Sequence, residues 1–211
     1  MSPALPRRVA GKAPSPRRSH GSPKRRITEI IEAAARVFER RGYHGATTQD
    51  IADELGIRQA TLYYYFSSKE AALEQICLLG VKEYVERAEA IAARGGPAAG
   101  RLQALIANHL EPLAHQPAYV RVFLSERRHL PDDARHKVGR LARRYEQVFE
   151  RVVDEGIRRR EFRAAAQPRV AALALLGMCN TVTAWYGKER RPALAGVVHE
   201  LSAFALKGLS A

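Results

Sequence analysis

Residues 42–70, GYHGATTQDIADELGIRQATLYYYFSSKE, constrain this chain more than any other stretch. They read as two short helices separated by a tight turn. Thr47 suits an N-cap, and Asp50 three residues later completes a capping box. A first helix over 49–55 buries Ile51, Ala52 and Leu55 on one face. Gly56 follows where a left-handed residue can end a helix without a Cβ penalty. A second helix over 59–66 turns Leu62 and Phe66 inward, four residues apart. Gln59, Ala60, Thr61, Tyr63 and Tyr64 are then left outward, a polar and aromatic face able to meet a DNA major groove.

The net charge of +13 suggests a polyanionic partner, and its distribution sharpens the point. Residues 1–26 hold eight Lys/Arg and no acid, whereas residues 27–70 carry a net −2 and the rest +7. The helix-turn-helix is therefore no basic patch. Phosphate affinity must come from a few placed contacts, or from the arm in front of it, with Arg25 and Arg26 the nearest cations. Residues 1–24 read as a disordered basic arm: five prolines and two glycines break regular structure. Within it, Ser15-Pro16-Arg17-Arg18 and Ser22-Pro23-Lys24-Arg25 resemble minor-groove motifs, against the alternative of a plain solvated tail.

The remaining pattern is helical throughout, with no strand-like alternation and no internal repeat. Ile27, Ile30, Ile31, Ala34 and Phe38 form one face of a first helix that Gly42 stops. Ser67 or Ser68 caps a long fourth helix with Leu73, Ile76, Gly80, Tyr84 and Ala88 on one side. Arg94-Gly95-Gly96-Pro97 is the clearest break. The next helix runs to about His115, and Pro117 opens another that stops near Pro131. Over 132–159, Val138, Leu141, Tyr145, Val148, Val152 and Glu155 recur at near-heptad spacing beneath an arginine-rich outer face. Two last helices follow Pro168 and Pro192. The expected fold is all-α: a three-helix DNA-binding domain at 25–70 joined by a long helix to a helical effector and dimerisation domain at 71–211.

The motif residues resemble the TetR family of bacterial transcription regulators over about residues 26–73. The resemblance rests on Thr47-Thr48, Asp50-Ile51-Ala52, Leu55-Gly56-Ile57, the run from Ala60 to Phe66, and Ser68-Lys69-Glu70. It implies an all-helical homodimer that binds palindromic double-stranded DNA operators and is released by a small molecule. The chain departs from the family pattern at Arg58, where many members carry a small capping residue, and at Gln59, often a lysine. Both lie on the groove-facing edge, so no operator sequence is implied.

On this reading Thr48, Tyr63 and Lys69 are expected on phosphates, Gln59 on an adenine edge, and Thr61 or Tyr64 on a thymine methyl, with Gln49, Arg58 and Ala60 on the same face. The terminal helices offer a dimer interface through Val170, Leu173, Leu176, Gly177, Leu194, Val197, Val198, Leu201 and Phe204, although burial within one protomer competes for these stripes. The segments 122–131, Glu161-Phe162, 176–180 and Trp185-Tyr186 resemble the acyl-CoA-responsive TetR subgroup. An acyl cavity then involves Phe123, Arg127, Arg128, Tyr145, Met178, Asn180 and Trp185, while Arg121, Arg140, Arg143 and Arg144 add guanidinium groups for phosphates. The alternatives are a hydrophobic ligand without CoA, and a sequence-tolerant DNA binder dominated by its arm.

Other chemistries are weakly signalled. His129, Asp132, Asp133 and His136 with Glu126 could ligate a metal, but their spacing crosses a proline break, and no metal or cofactor is expected. Cys77 and Cys179 lie on apolar faces and read as inert buried thiols in a reducing cytoplasm. No glycine-rich phosphate loop, GxSxG, HExxH or CxxC is present, so no catalytic residue is assigned and an enzyme is not expected. No apolar run is long enough for a membrane span, and none near the N-terminus suits a signal peptide.

Overall fold

A computed structural model describes residues 23–187 and 193–210. The arm, apart from its last two positions, and Pro192 ahead of the last helix lie outside the described residues. The described residues form ten α-helices, one short 3-10 turn and no strand. They are α1 (Pro23–Gly45), α2 (Thr48–Leu55), α3 (Gln59–Tyr63), α4 (Lys69–Ala92), α5 (Ala98–Leu110), α6 (Pro112–His115), α7 (Pro117–Glu126), α8 (Asp132–Arg158), α9 (Pro168–Trp185) and α10 (Leu194–Leu209). Among them no helix is long and apolar enough to cross a membrane.

The local signals of the reading head work as the sequence dictates. Thr47 is extended, its hydroxyl accepts from the Asp50 N–H, and the Asp50 carboxylate accepts from the Thr47 N–H. Gly56 adopts φ 62°, ψ 36°, and the Ile57 N–H reaches the Ala52 carbonyl at 3.0 Å, which satisfies a helix-end acceptor. Gly42, at φ 66°, interrupts α1 before a last turn to Gly45. Ser68 rather than Ser67 caps α4, accepting from the Ala71 N–H.

Several expected helix boundaries change. The second helix of the motif ends at Tyr63, not Phe66, because the Leu62 carbonyl takes the N–H of both Tyr65 and Phe66 and the chain then extends into the Ser68 cap. Phe66 still reaches the core, while Leu55 is only half-buried. The helix expected to run to His115 ends at Leu110, since Pro112 lacks the N–H that would continue it and opens α6 instead. The first helix of the motif begins at Thr48 rather than Gln49, and α1 begins at Pro23, inside the stretch assigned to the arm.

Two hydrophobic clusters form. One joins Ile30, Phe38, Ile51, Leu62, Leu73 and Ile76 of the head to Tyr119 and Val122 of α7 and to Ala134 and Val138 at the start of α8. The other packs α5 between α4, α8 and α10, around Leu102, Leu105, Phe149 and Val152. The core of the head thus continues past residue 70 into α7. Glu155, placed in the apolar stripe of α8 by its spacing, instead meets Arg101 at 2.7 Å. Arg101 is 7% exposed, and its guanidinium also donates to the Ala92 carbonyl.

The contact between α4 and α7 depends on Gly80. A Cβ there would overlap the ring of Tyr119, whose hydroxyl donates to the Ile76 carbonyl. Gly139 on α8 has helical backbone and open space where a Cβ would stand. The same substitution should therefore have opposite signs. Gly139→Ala should stabilise by about 0.5–1 kcal/mol through helix propensity. Gly80→Ala should destabilise by about 1–3 kcal/mol through overpacking. Urea midpoints of the two variants against the parent check both.

Candidate DNA-reading face and effector cavity

The outward face of the motif carries Ala60, Thr61, Tyr63 and Tyr64, all exposed, with Tyr64 at 87%. Tyr65 is half-buried against the head core and meets Tyr64 edge-on. Gln59 bridges the two helices: its Nε2 donates to the Thr48 hydroxyl at 2.8 Å and lies 3.4 Å from the Tyr63 hydroxyl. With one Nε2 hydrogen on Thr48, the side chain keeps Oε1 as an acceptor and its second N–H as a donor, the pair that meets an adenine edge. Gln49 is likewise engaged, donating to Asp53 at 2.7 Å. Arg58 is exposed at the N-cap of α3 and makes no side-chain cap.

The cations of the head are mostly committed. Arg36 and Arg40 share Glu54, at 2.8 and 2.5 Å, and Arg41 meets Asp50 at 3.2 Å. The Arg36 guanidinium, with Arg40 behind it, holds the Glu54 carboxyl below its usual range. Arg25 and Arg26 sit on the first turns of α1, both paired with Glu29. Lys69, expected on a phosphate, is also held by the end of α1. Its ammonium donates to the Tyr43 and Ala46 carbonyls at 3.0 and 3.3 Å and lies over the Tyr43 ring, so its charge ties α4 to the end of α1.

In the larger helical layer a cavity of about 260 Å³ opens between α4, α5, α7, α8 and α9. Of the expected effector residues, Phe123, Arg127, Tyr145 and Asn180 line it. Arg128, Met178 and Trp185 do not. Arg128 is exposed and donates to His129, Met178 lines the groove between α9 and α10, and Trp185 packs against the larger core. Sequence reasoning missed Tyr84, His109, Tyr119 and Glu146, which also line the cavity. Exposed Arg127, Leu173 and Gly177 mark its rim.

His109 is the polar centre of this wall. Its Nδ1 lies 3.1 Å from the Tyr145 hydroxyl and its Nε2 lies 3.1 Å from Asn180 Oδ1. Burial lowers its pKa from the ordinary 6.5, a shift that the Asn180 contact opposes in part, so the ring is neutral at pH 7. The arginines expected to gather for phosphates divide. Arg121 pairs with Glu39, Arg143 with Glu146 and Glu150, and Arg144 with Glu89. Arg127 has no carboxylate partner among the described residues and lies over the Phe123 ring at 5.3 Å.

The dimer face is narrower than the apolar stripes suggest. Leu176 and Val197 are buried within the protomer, at 7% and 5% exposure, because α9 and α10 turn those residues onto α5 and α8. Leu194, Val198 and Leu201 are half-buried against the same core. Val170, Leu173, Gly177 and Phe204 remain exposed, and Ala174, Thr181 and Ala184 extend the outer stripe of α9 at helical spacing.

Among the described residues no group of three or more His, Cys, Asp or Glu side chains could hold a metal. His129 instead stacks on Tyr43, with ring centroids 5.0 Å apart. Cys77 and Cys179 are both buried, and burial pushes each thiol up to about 12.

His109 also predicts a pH dependence. Its pKa is lower folded than unfolded, so its contribution is constant above pH 6.5 and stability is lost as pH falls through that value, where only the unfolded chain takes up the proton. The loss should approach about 1.4 kcal/mol per pH unit. His109→Gln should flatten the urea-determined stability profile between pH 6.5 and about pH 5, above the usual carboxylate range. An unchanged slope would show that other groups set it.

Comparison with known proteins agrees with this geometry. Residues 30–76 match the family of bacterial regulatory proteins, tetR family, and residues 95–209 match the Tetracyclin repressor-like, C-terminal domain. The fatty acid metabolism regulator protein of Bacillus subtilis (strain 168) is 25% identical over 182 residues, covering 86% of this chain and 94% of that protein. The HTH-type transcriptional repressor KstR2 of Rhodococcus jostii (strain RHA1) is 25% identical over 186 residues, covering 88% and 91%. The crystal structure of the transcriptional regulator FadR from Bacillus subtilis in complex with stearoyl-CoA superposes with a TM-score of 0.72 at 25% identity, covering 86% of this chain and 98% of that one. The matched families span the helix-turn-helix and most of the helical layer, and the chain belongs to the TetR family of bacterial transcription regulators.

Proposed function

We propose that this regulator is a homodimeric repressor, acting in the bacterial cytoplasm, that leaves a palindromic operator when an acyl-CoA thioester fills the cavity. The observation that carries the reading is the position of α7. Val120, Phe123 and Leu124 line the cavity, Val122 of the same helix belongs to the core of the reading head, and Tyr119 belongs to both. A ligand that repositions α7 therefore acts on the head, to the extent of its differential affinity for the two arrangements. A tenfold loss of operator affinity needs only about 1.4 kcal/mol of coupling. Two reading heads would meet successive major grooves about 34–36 Å apart. The dimer would form through the exposed stripe of α9 and through Phe204.

The ligand class is supported by an apolar wall with few polar groups and by a rim arginine without a carboxylate partner, suited to a phosphate oxygen. The stearoyl-CoA complex of the similar Bacillus regulator favours the same class.

The test is operator binding to the protein's own upstream DNA, titrated with thioesters of six to eighteen carbons and with the free acids. Release by a thioester and not by its free acid is expected. Arg127→Ala should weaken the thioester response about tenfold or more while leaving unliganded DNA binding intact, since a charge-assisted hydrogen bond contributes about 1.5–3 kcal/mol. Specific DNA binding that no thioester disturbs would retain the regulator and remove this ligand class.

A further inference from the structure

Of the expected effector residues that line the cavity, Asn180 carries hydrogen-bond donors to which the effector reading gives no partner. Three side chains from three helices form a line: Tyr145 on α8, His109 on α5 and Asn180 on α9. Because Asn180 Oδ1 can only accept, His109 Nε2 carries the proton and donates to it. A neutral imidazole with a protonated Nε2 has a bare Nδ1, which accepts from the Tyr145 hydroxyl. The line takes its direction from the Asn180 amide, whose oxygen is the atom 3.1 Å from the ring. That oxygen is turned to His109, and the amide Nδ2, with two N–H donors, has no hydrogen-bond partner among the described residues.

We propose that Asn180 Nδ2 is a carbonyl selector: it donates to one acceptor oxygen of the effector, within a largely apolar wall, and His109 and Tyr145 are positioning residues that hold the amide in that sense. The chemical class selected is an apolar chain or ring bearing a carbonyl oxygen. On the effector reading above, on which the proposal rests for its natural ligand, this oxygen is the thioester carbonyl. A hydrocarbon of the same shape without that oxygen leaves the amide donors unpaired in the occupied cavity, and an unpaired donor costs more than its hydrogen bond contributes. Selection by a buried polar group is correspondingly sharper than selection by chain length.

The experiment compares octanoyl-CoA with S-octyl-CoA, the thioether that lacks only the carbonyl oxygen, by calorimetric titration. A second pair without CoA, 2-nonanone and nonane, is read by displacement of an apolar fluorescent dye. The full chain is used in three forms: parent, Asn180→Asp and Tyr145→Phe. Asn180→Asp keeps the oxygen facing His109 and removes the donor. The parent should prefer octanoyl-CoA about tenfold, equivalent to about 1.4 kcal/mol. Asn180→Asp should abolish the preference, mainly by weakening the carbonyl ligand, and Tyr145→Phe should reduce it. A defect in folding alone would weaken both members of a pair equally.

If neither CoA compound binds but the ketone is preferred over nonane in an Asn180-dependent way, the selector stands and the acyl-CoA reading falls. If the parent treats both members of each pair alike, or if Asn180→Asp retains the preference, the proposal is overturned whatever else binds. If no probe of either pair binds, the cavity takes no such ligand and both readings fall.

Discussion

The close approach of α7 to α4 is the contact on which the rest of this structure depends. Tyr119 lies where any side chain at residue 80 would stand, and its hydroxyl ends on the Ile76 carbonyl. This seats α7 against both the core of the reading head and the cavity, beside α4 and α8, which also run through both regions. One side of α7 closes the core of the reading head, and the other lines the cavity. Packed interiors shift between discrete arrangements rather than deform smoothly. A change at Phe123 or Val120 therefore has few ways to be absorbed before it reaches α1.

The polar contacts between α7 and α1 give that movement a register. Arg121 meets Glu39 at 2.5 Å, Glu126 accepts from the Tyr43 backbone N–H at 3.1 Å, and Gln116 donates to Glu32 at 3.2 Å. The Arg121 and Glu39 side chains are each about 30% exposed, so their ion pair contributes at most about 1 kcal/mol. The larger share of the α1–α7 contact is apolar burial, in which Val122 is covered by the head core. This division suits a switch. The apolar contact keeps the two regions joined in either state, while weak polar contacts can exchange partners at little cost.

How much of this was legible in the sequence follows from the range of each signal. The reading head was readable because its determinants are local: the Thr47–Asp50 box, the left-handed Gly56 and the inward pair Leu62 and Phe66. The length of α3 was not, because the Ser68 cap competes for the same residues from the other side. Periodicity identified Tyr145 as inward, the subgroup resemblance pointed to Phe123, and both line the cavity. It could not show that the helices around His109 stand far enough apart to leave space, since helical spacing reports direction and not separation. Leu176 and Val197 illustrate the converse: an apolar stripe wider than one contact gives no sign of which part faces its own protomer. The arginines near the cavity depended on acids of other elements, such as Glu39 on α1 and Glu89 on α4, which no local pattern pairs with them.

The central claim, that cavity occupancy moves the reading heads, is most directly tested by a distance. Ala60 is exposed on the DNA-reading face, and both native thiols are buried with pKa values pushed up to about 12, so Ala60→Cys offers one selectively reactive site per protomer. Nitroxide labels there report the separation of the two heads by pulsed electron resonance. Saturating octanoyl-CoA should move the distribution away from the roughly 34–36 Å spacing of successive major grooves. A distribution unchanged in protein that has bound the thioester would contradict the account.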